Sequence, residues 1–163
     1  MTKIPFQTTA LIRDTCLCLH VQRTARTLAR RFDEALRPLD LTNGQFSLLT
    51  SLNRSHPPRI GAVAELLAMD RTTLTAALKP LERRRLVVVK VDPADRRGRR
   101  LILTPAGRKL LARATPIWMK HHGGVEALLN DPTQLRGQLQ ALCEPAKPLP
   151  VKARPFGLRG TKQ

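Results

Sequence analysis

The chain has 163 residues, and 29 Lys and Arg against 12 Asp and Glu leave a formal net charge of +17 and a pI near 11.5. That length suits one domain with extensions, and that charge asks for a polyanionic partner, nucleic acid before an anionic membrane surface. No apolar run approaches the ~20 residues of a membrane span, the start MTKIPFQTTALIRD lacks a leader's apolar core, and cysteines at 16, 18 and 143 form neither a disulfide framework nor a zinc ribbon, so a cytoplasmic location without membrane contact is expected.

With 3% aromatic residues and no tyrosine, the core must be built from Leu, Val and Ala. Residues 1–10 read as a loose arm. A long helix is predicted from Ile12 to Leu36, with Cys18, Val21, Ala25, Leu28 and Phe32 on one apolar stripe. Pro38 ends it. Thr42 starts the next helix, and Gln45 three residues later completes a capping box. Phe46, Leu48, Leu49 and Leu52 are its apolar residues, and Asn53 to Pro58 is a loop.

A short helix is predicted from Ile60 to Leu67, then a turn over Ala68-Met69-Asp70. Asp70 can cap a second helix, Arg71 to Arg84, by accepting from its first free amides. Leu74, Ala77, Leu78 and Leu81 share one face of that helix. Its other face carries Thr72, Thr73, Thr75, Ala76 and Lys79, side chains short or basic enough to let the backbone approach a DNA groove. Helix, tight turn, helix is the helix-turn-helix arrangement, whose second helix enters the major groove. Pro80 removes a donor toward Ala76 and should bend or loosen this helix.

Leu86 to Val91 is rich in β-branched residues and reads as a strand, with Leu101 to Leu103 returning beside it. The loop between, Asp92 to Arg100, combines Asp-Pro and Gly turn chemistry with Arg96, Arg97, Arg99 and Arg100. A cationic finger of this kind fits a narrow minor groove. From Arg71 to Arg113 there are 13 Lys or Arg and 3 Asp or Glu, so much of the excess charge is concentrated here.

Thr104-Pro105 caps and opens another helix, with proline at its permitted first position. Leu110, Leu111, Ala114, Ile117 and Trp118 form its apolar side, Pro116 should kink it, and Gly123-Gly124 should weaken or break it. Asp131-Pro132-Thr133-Gln134 opens a last helix, with Leu135, Leu139 and Leu142 turned inward. From Glu144 onward the chain is Pro-rich and basic and is expected to be flexible or draped over a partner. The long first helix and the last two helices offer more apolar surface than a small core can cover, which marks an association site.

Residues 41–116 resemble the winged helix-turn-helix core of the MarR family of bacterial transcriptional regulators. The resemblance rests on Leu41-Thr42-Asn43-Gly44-Gln45-Phe46, Thr72-Thr73-Leu74-Thr75, Leu81-Glu82-Arg83-Arg84-Arg85-Leu86-Val87, and the run from Asp92 to Gly107. It implies a mainly helical fold with a small β-hairpin wing and a helical dimerisation region. The boundaries would be an arm and dimerisation helix over 1–40, the DNA-binding domain over 41–104, dimerisation helices over 105–144, and the basic tail over 145–163. It implies a homodimer on double-stranded DNA, reading an inverted repeat with its two recognition helices ~34 Å apart. Extra sheet pairing near the Asn53–Pro58 loop is also implied. DNA contacts would come from Arg71, Thr72, Thr73, Thr75, Ala76 and Lys79 and from Arg96, Arg97, Arg99 and Arg100. Asp95 would hold the wing arginines, Asp-x-Arg being the family-like spacing.

The family's ligands often sit where the dimerisation helices meet the winged core. The expected lining is Val21, Leu28, Phe46 and Trp118, with His20 or Arg23 for an anionic group, or these side chains simply fill the core. By the same resemblance, Cys18 occupies the position of the peroxide-sensing cysteine of the organic-hydroperoxide branch. There tyrosines donate to the thiolate, and this chain has none. Otherwise Cys18 is a small core residue, and Cys16, off the stripe and near His20 and Arg23, is the more exposed of the two. Cys16 and Cys18 are both redox candidates, too divergent to pair with each other but able to pair with another cysteine across a dimer interface. His121-His122 with Glu126 could suggest a metal site, but adjacent helical histidines diverge by about 100°, so neither metal nor cofactor is expected. No phosphate loop, nucleophile elbow or suitably set pair of acids supports an enzyme. Three functions follow: a repressor released by a small aromatic or acidic effector, the same machine switched by cysteine oxidation, or a low-specificity DNA-coating protein.

Overall fold

The computed structural model describes residues 3–143. The amides of Thr8 and Thr9 turn back onto the Pro5 carbonyl at 3.1 and 3.3 Å, and helix α1, Phe6–Thr15, begins there. Proline, with a fixed φ and no amide to satisfy, is suited to a helix start. So the expected loose arm over 1–10 is helical from Phe6. The expected continuous helix from Ile12 is also interrupted, because Cys16 is extended (φ −69°, ψ 105°) and α2 restarts at Leu17 and runs to Leu36. The break is stitched locally. Cys16 N–H donates to the Ile12 carbonyl at 2.9 Å, and His20 Nε2 reaches the Asp14 carbonyl at 3.1 Å.

Only the end of α2 is buried, at Phe32 and Leu36. Pro38 stops it, and a 3-10 turn, Arg37–Leu39, leads to Asp40 in the left-handed region at φ 50°. Helix α3, Asn43–Leu52, opens on the expected capping box: Gln45 N–H donates to Thr42 Oγ1, and Thr42 N–H to Gln45 Oε1, both at 3.2 Å. Asp33 on α2 takes the Asn43 amide at 2.7 Å, which joins the two helices where no intrahelical acceptor exists.

Helix α4, Ile60–Leu66, closes through a Schellman pair of bonds, Ala68 N–H to Glu65 and Met69 N–H to Ala64. Ala68 takes the left-handed position at φ 50°. Helix α5, Arg71–Arg83, then starts on Asp70, which accepts from the Thr73 amide at 2.8 Å. It runs through Pro80. The carbonyl that proline leaves without a donor belongs to Ala76, on the exposed side, where water can serve it. α5 closes as α4 does, around Arg85 at φ 56°.

Strands β1, Val87–Asp92, and β2, Asp95–Leu103, pair antiparallel from Val87 with Leu103 to Val91 with Arg99. Asp92 then pairs with Asp95, so Arg96, Arg97 and Gly98 are bulged out of the ladder. The wing arginines therefore lie on a strand, where a loop over Asp92 to Arg100 is expected; the turn itself is only Pro93-Ala94. Arg59 bridges to Arg100, and Leu101 N–H donates to the Pro58 carbonyl at 3.0 Å. This is the extra pairing that the resemblance implies.

Helix α6, Pro105–Glu126, is capped by Thr104 and continues through Gly123-Gly124, against expectation. Both glycines keep negative φ, and each costs helix stability without ending the hydrogen-bond ladder. Leu36, Leu49, Val63, Leu74, Leu78, Leu81, Val87, Leu101 and Ala114 are all but inaccessible and join α2 through α6 and the hairpin into one core.

A second compact unit begins at Asn130. It contains α7, Pro132–Cys143, whose first turn is capped by Asp131 through the Gln134 amide at 2.8 Å. Leu135, Leu139 and Leu142 are exposed where an inward face is expected. Their spacing defines a stripe but supplies no partner for it. The Pro-rich basic tail from Glu144 lies outside the described residues. No helix among the described residues is long and apolar enough to cross a membrane.

Candidate nucleic-acid interface

α5 separates its side chains as its period requires. Leu74, Leu78 and Leu81 are buried, and Thr72, Thr73, Thr75, Ala76 and Lys79 are exposed. Two of the three threonine hydroxyls already donate within the helix, Thr73 to Asp70 Oδ2 at 2.6 Å and Thr75 to the Arg71 carbonyl at 2.7 Å. They face outward as acceptors and methyl groups, and the surface stays low enough for a groove. The Arg71 guanidinium folds back over Gly61 of α4.

In the wing, Arg96, Arg97 and Arg99 are exposed. Arg99 donates to the carbonyls of Arg96 and Gly98 at 3.1 and 3.0 Å, closing the bulge. Arg100 is different. Its Nε lies 3.0 Å from Asp92 Oδ1 and its Nη1 donates to the Pro57 carbonyl at 3.0 Å, so it is committed to the fold and not free for DNA as expected.

Asp95 does not hold the arginine heads. Its Oδ1 accepts the Arg97 backbone amide at 3.0 Å, shaping the bulge that presents that arginine. The carboxylate that grips arginine side chains is Asp92, whose own side chain has no exposed surface. It accepts from Arg59 Nε at 2.7 Å, from Arg100, and from the Ala94 amide at 3.1 Å. Burial works against its charge, but the Ala94 amide and the Arg100 and Arg59 guanidiniums outweigh that and hold its carboxyl below the ordinary range. Asp70 is also lowered, by the Thr73 hydroxyl first and the Thr73 amide second.

The six residues expected to share an effector pocket fall in separate places. Phe46 and Trp118 stack with ring centroids 6.0 Å apart, in a hollow of about 400 Å³ that also involves Thr50, Asn53, Arg108 and Thr115. His20, Arg23 and Leu28 line a separate groove along α2, and Val21 is exposed. Periodicity put each on a suitable face of its own helix, but Phe46 and Trp118 belong to α3 and α6, whereas His20, Val21, Arg23 and Leu28 belong to α2. The basic group beside the aromatic pair is Arg108, which sequence reasoning missed.

Cys18 is exposed and Cys16 half-buried, the reverse of expectation. The interruption at Cys16 resets the helical phase between them. His122 stacks on Trp118 with centroids 4.3 Å apart and pairs with Glu126 at 3.2 Å. Among the described residues no cluster of three metal-ligating side chains exists. Sequence reasoning also missed Asp92, Arg59 and Arg84. The Arg84 guanidinium donates to the Asp40 carbonyl and stands 3.6 Å from its carboxylate, tying the end of α5 to the end of α2. An acid among β-branched residues at the edge of a basic run was the available signal for Asp92; Asp-Pro reads as turn chemistry alone.

The sequence pattern of the MarR family matches residues 39–98. The transcriptional regulator HosA of Escherichia coli O111:H- is 39% identical over 80 residues, 48% of this chain and 58% of HosA. This chain thus spans less than two thirds of that relative. The transcriptional regulator MosR of M. tuberculosis, solved in complex with DNA, superposes with a TM-score of 0.73 at 36% identity, covering 78% of this chain and 93% of that one. CouR of Rhodococcus jostii RHA1, solved bound to p-coumaroyl-CoA, superposes with a TM-score of 0.70 at 25% identity, covering 82% and 95%.

Proposed function

Since the chain belongs to the MarR family, as a DNA-binding transcriptional regulator and not an enzyme, we propose that it is a homodimeric repressor of an inverted-repeat operator, released by a small aromatic or acidic effector. The observation that carries this reading is the exposed low-relief face of α5, Thr72 to Lys79, together with the exposed arginines of the β2 bulge. Residues 41–104 would read DNA. Within them Thr72, Thr73, Thr75, Ala76 and Lys79 enter the major groove, and Arg96, Arg97 and Arg99 reach the minor groove. Arg71 joins them by leaving Gly61 for a phosphate.

Self-association is supported by apolar surface that the isolated chain leaves open. Ile12, Leu17, Val21 and Met119 are exposed on α1, α2 and α6, and α7 adds the Leu135, Leu139 and Leu142 stripe. For the effector, the hollow of Phe46, Trp118 and Arg108 has the size of small-molecule sites. An aromatic ring would pack against the edge of the Phe46–Trp118 pair, and a carboxylate would meet the part of the Arg108 guanidinium that does not donate to the Leu103 carbonyl. CouR's acyl-thioester ligand is consistent with an aromatic effector here.

The test is selection of duplexes from a random pool, followed by sedimentation and an effector titration. Enrichment of an inverted repeat by a particle of twice the chain mass is expected. Aromatic carboxylates should then lower affinity for the selected duplex and change the fluorescence of Trp118, the single tryptophan. Equal affinity for selected and random duplexes at every salt concentration would replace this reading with a DNA-coating protein. The exposure of Cys18 favours a second reading, release by oxidation. Hydroperoxide releasing DNA from the native protein but not from Cys18→Ser would establish it.

A further inference from the structure

Asp92 and Ser51 are the buried polar side chains among the described residues, and Asp92 is the ionisable one. Its position is mechanical. It ends β1, immediately before the Pro93-Ala94 turn, so it sits at the start of the bulge that presents Arg96 and Arg97. Arg100 reaches it from β2. Arg59 reaches it from the residue that leads into α4, and α4 is followed through the closed Ala68 turn by α5. Arg100 also holds the Pro57 carbonyl, and Leu101 the Pro58 carbonyl, on the same side of the hairpin.

We infer that Asp92 is a positioning residue for DNA specificity: by clamping Arg59 and Arg100 it fixes the stance of the wing against the helix-turn-helix and keeps two arginines off the phosphate backbone. This rests on the reading of the wing as a minor-groove arm. Two guanidiniums drawn to one carboxylate would repel each other if it were lost. Arg59, already half exposed, would turn to solvent. It would then add sequence-independent, salt-sensitive attraction to any duplex. At the same time the bulge would lose its fixed register, so the contacts that distinguish one sequence from another would weaken. Loss of Asp92 should therefore lower discrimination more than it lowers binding.

The experiment uses the full chain, a duplex selected by the native protein and a random duplex of equal length. Asp92→Asn keeps the shape and an acceptor for the Ala94 amide but removes the charge. The ratio of affinities for selected over random duplex should fall about tenfold or more, with random-duplex binding unchanged or stronger. Arg97→Ala, which should weaken selected-duplex binding in the native protein, should cost little in the Asp92→Asn background. An unchanged affinity ratio, or an Arg97→Ala penalty of the same size in both backgrounds, overturns the inference. Should Asp92→Asn not fold, Arg59→Gln carries the test, because it must lower the same ratio while Arg100 still holds the carboxylate, and an unchanged ratio overturns the inference. If Arg97→Ala is silent in the native protein, the minor-groove reading falls and this inference falls with it. If Arg97→Ala is costly but uncoupled to Asp92, only this inference falls.

Discussion

Gly107 lies against the carbonyl of Leu86, so close that a Cβ at Gly107 would stand 2.3 Å from that oxygen. The approach is built by Thr104, whose amide donates to the Leu86 carbonyl at 3.1 Å, whose hydroxyl is shared between the Arg85 and Leu86 carbonyls at 2.9 and 3.1 Å, and whose hydroxyl oxygen accepts the Gly107 amide at 3.0 Å. One threonine thus joins the exit of α5 to the start of α6. Gly107→Ala should destabilise the fold by ~1–3 kcal/mol, the range for forced overpacking. A thermal or urea melt equal to that of the native protein would contradict it.

Ala68 offers the opposite opportunity. It is held at φ 50° by the closure between α4 and α5, a conformation that costs a residue with a Cβ about 1 kcal/mol. Ala68→Gly removes that strain and costs some unfolded-chain entropy in return. A net stabilisation of ~0.5 kcal/mol, read as a small rise in midpoint, is expected.

Arg97 and Arg100 are three residues apart yet should fail differently. Arg97→Ala should weaken binding to a selected duplex by ~1–3 kcal/mol and leave the melting midpoint unchanged. Arg100→Ala leaves buried Asp92 with one guanidinium partner instead of two. It should lower the melting midpoint in the absence of DNA. Equal midpoints for the two variants would mean that Arg100 is not structural.

Acid should loosen the wing root. Asp92 is held below the ordinary carboxylate range, so it binds a proton more readily unfolded than folded, and its contribution to stability is complete above about pH 4. That contribution is lost as pH falls through the lowered folded value. The stability difference between native protein and Asp92→Asn should be constant from neutral pH to about pH 5 and shrink below about pH 4. A difference that grows on acidification would reverse the assignment.

Some of this protein was readable residue by residue. The Thr42–Gln45 capping box, the Asp70 cap, the Thr104-Pro105 start and the period of Leu74, Leu78 and Leu81 depend on neighbours within a turn or two. Short-range chemistry of that kind is written in sequence order, and all four features are present in the fold. The exposed set on α5 and the basic bulge on β2 followed from the same periodicity and charge. The interruption at Cys16 and the unbroken run through Gly123-Gly124 were not readable, because a single weak residue alters a helix by about 1 kcal/mol and its surroundings decide the outcome.

What tertiary structure alone decided was which arginine is tied to a buried acid. Arg97, Arg99 and Arg100 are alike in a sequence, and all three lie on one strand. Asp92 is 8 residues from Arg100 and 33 from Arg59, and only the fold brings both within 3.0 Å of one buried carboxylate. The effector hollow follows the same rule: Phe46 and Trp118 stack across two helices, whereas His20 and Arg23, matched to them by face alone, lie along another groove. Periodicity assigns a side chain a direction about its own helix. The distance to a partner is set by how whole elements pack, and no local pattern carries that information.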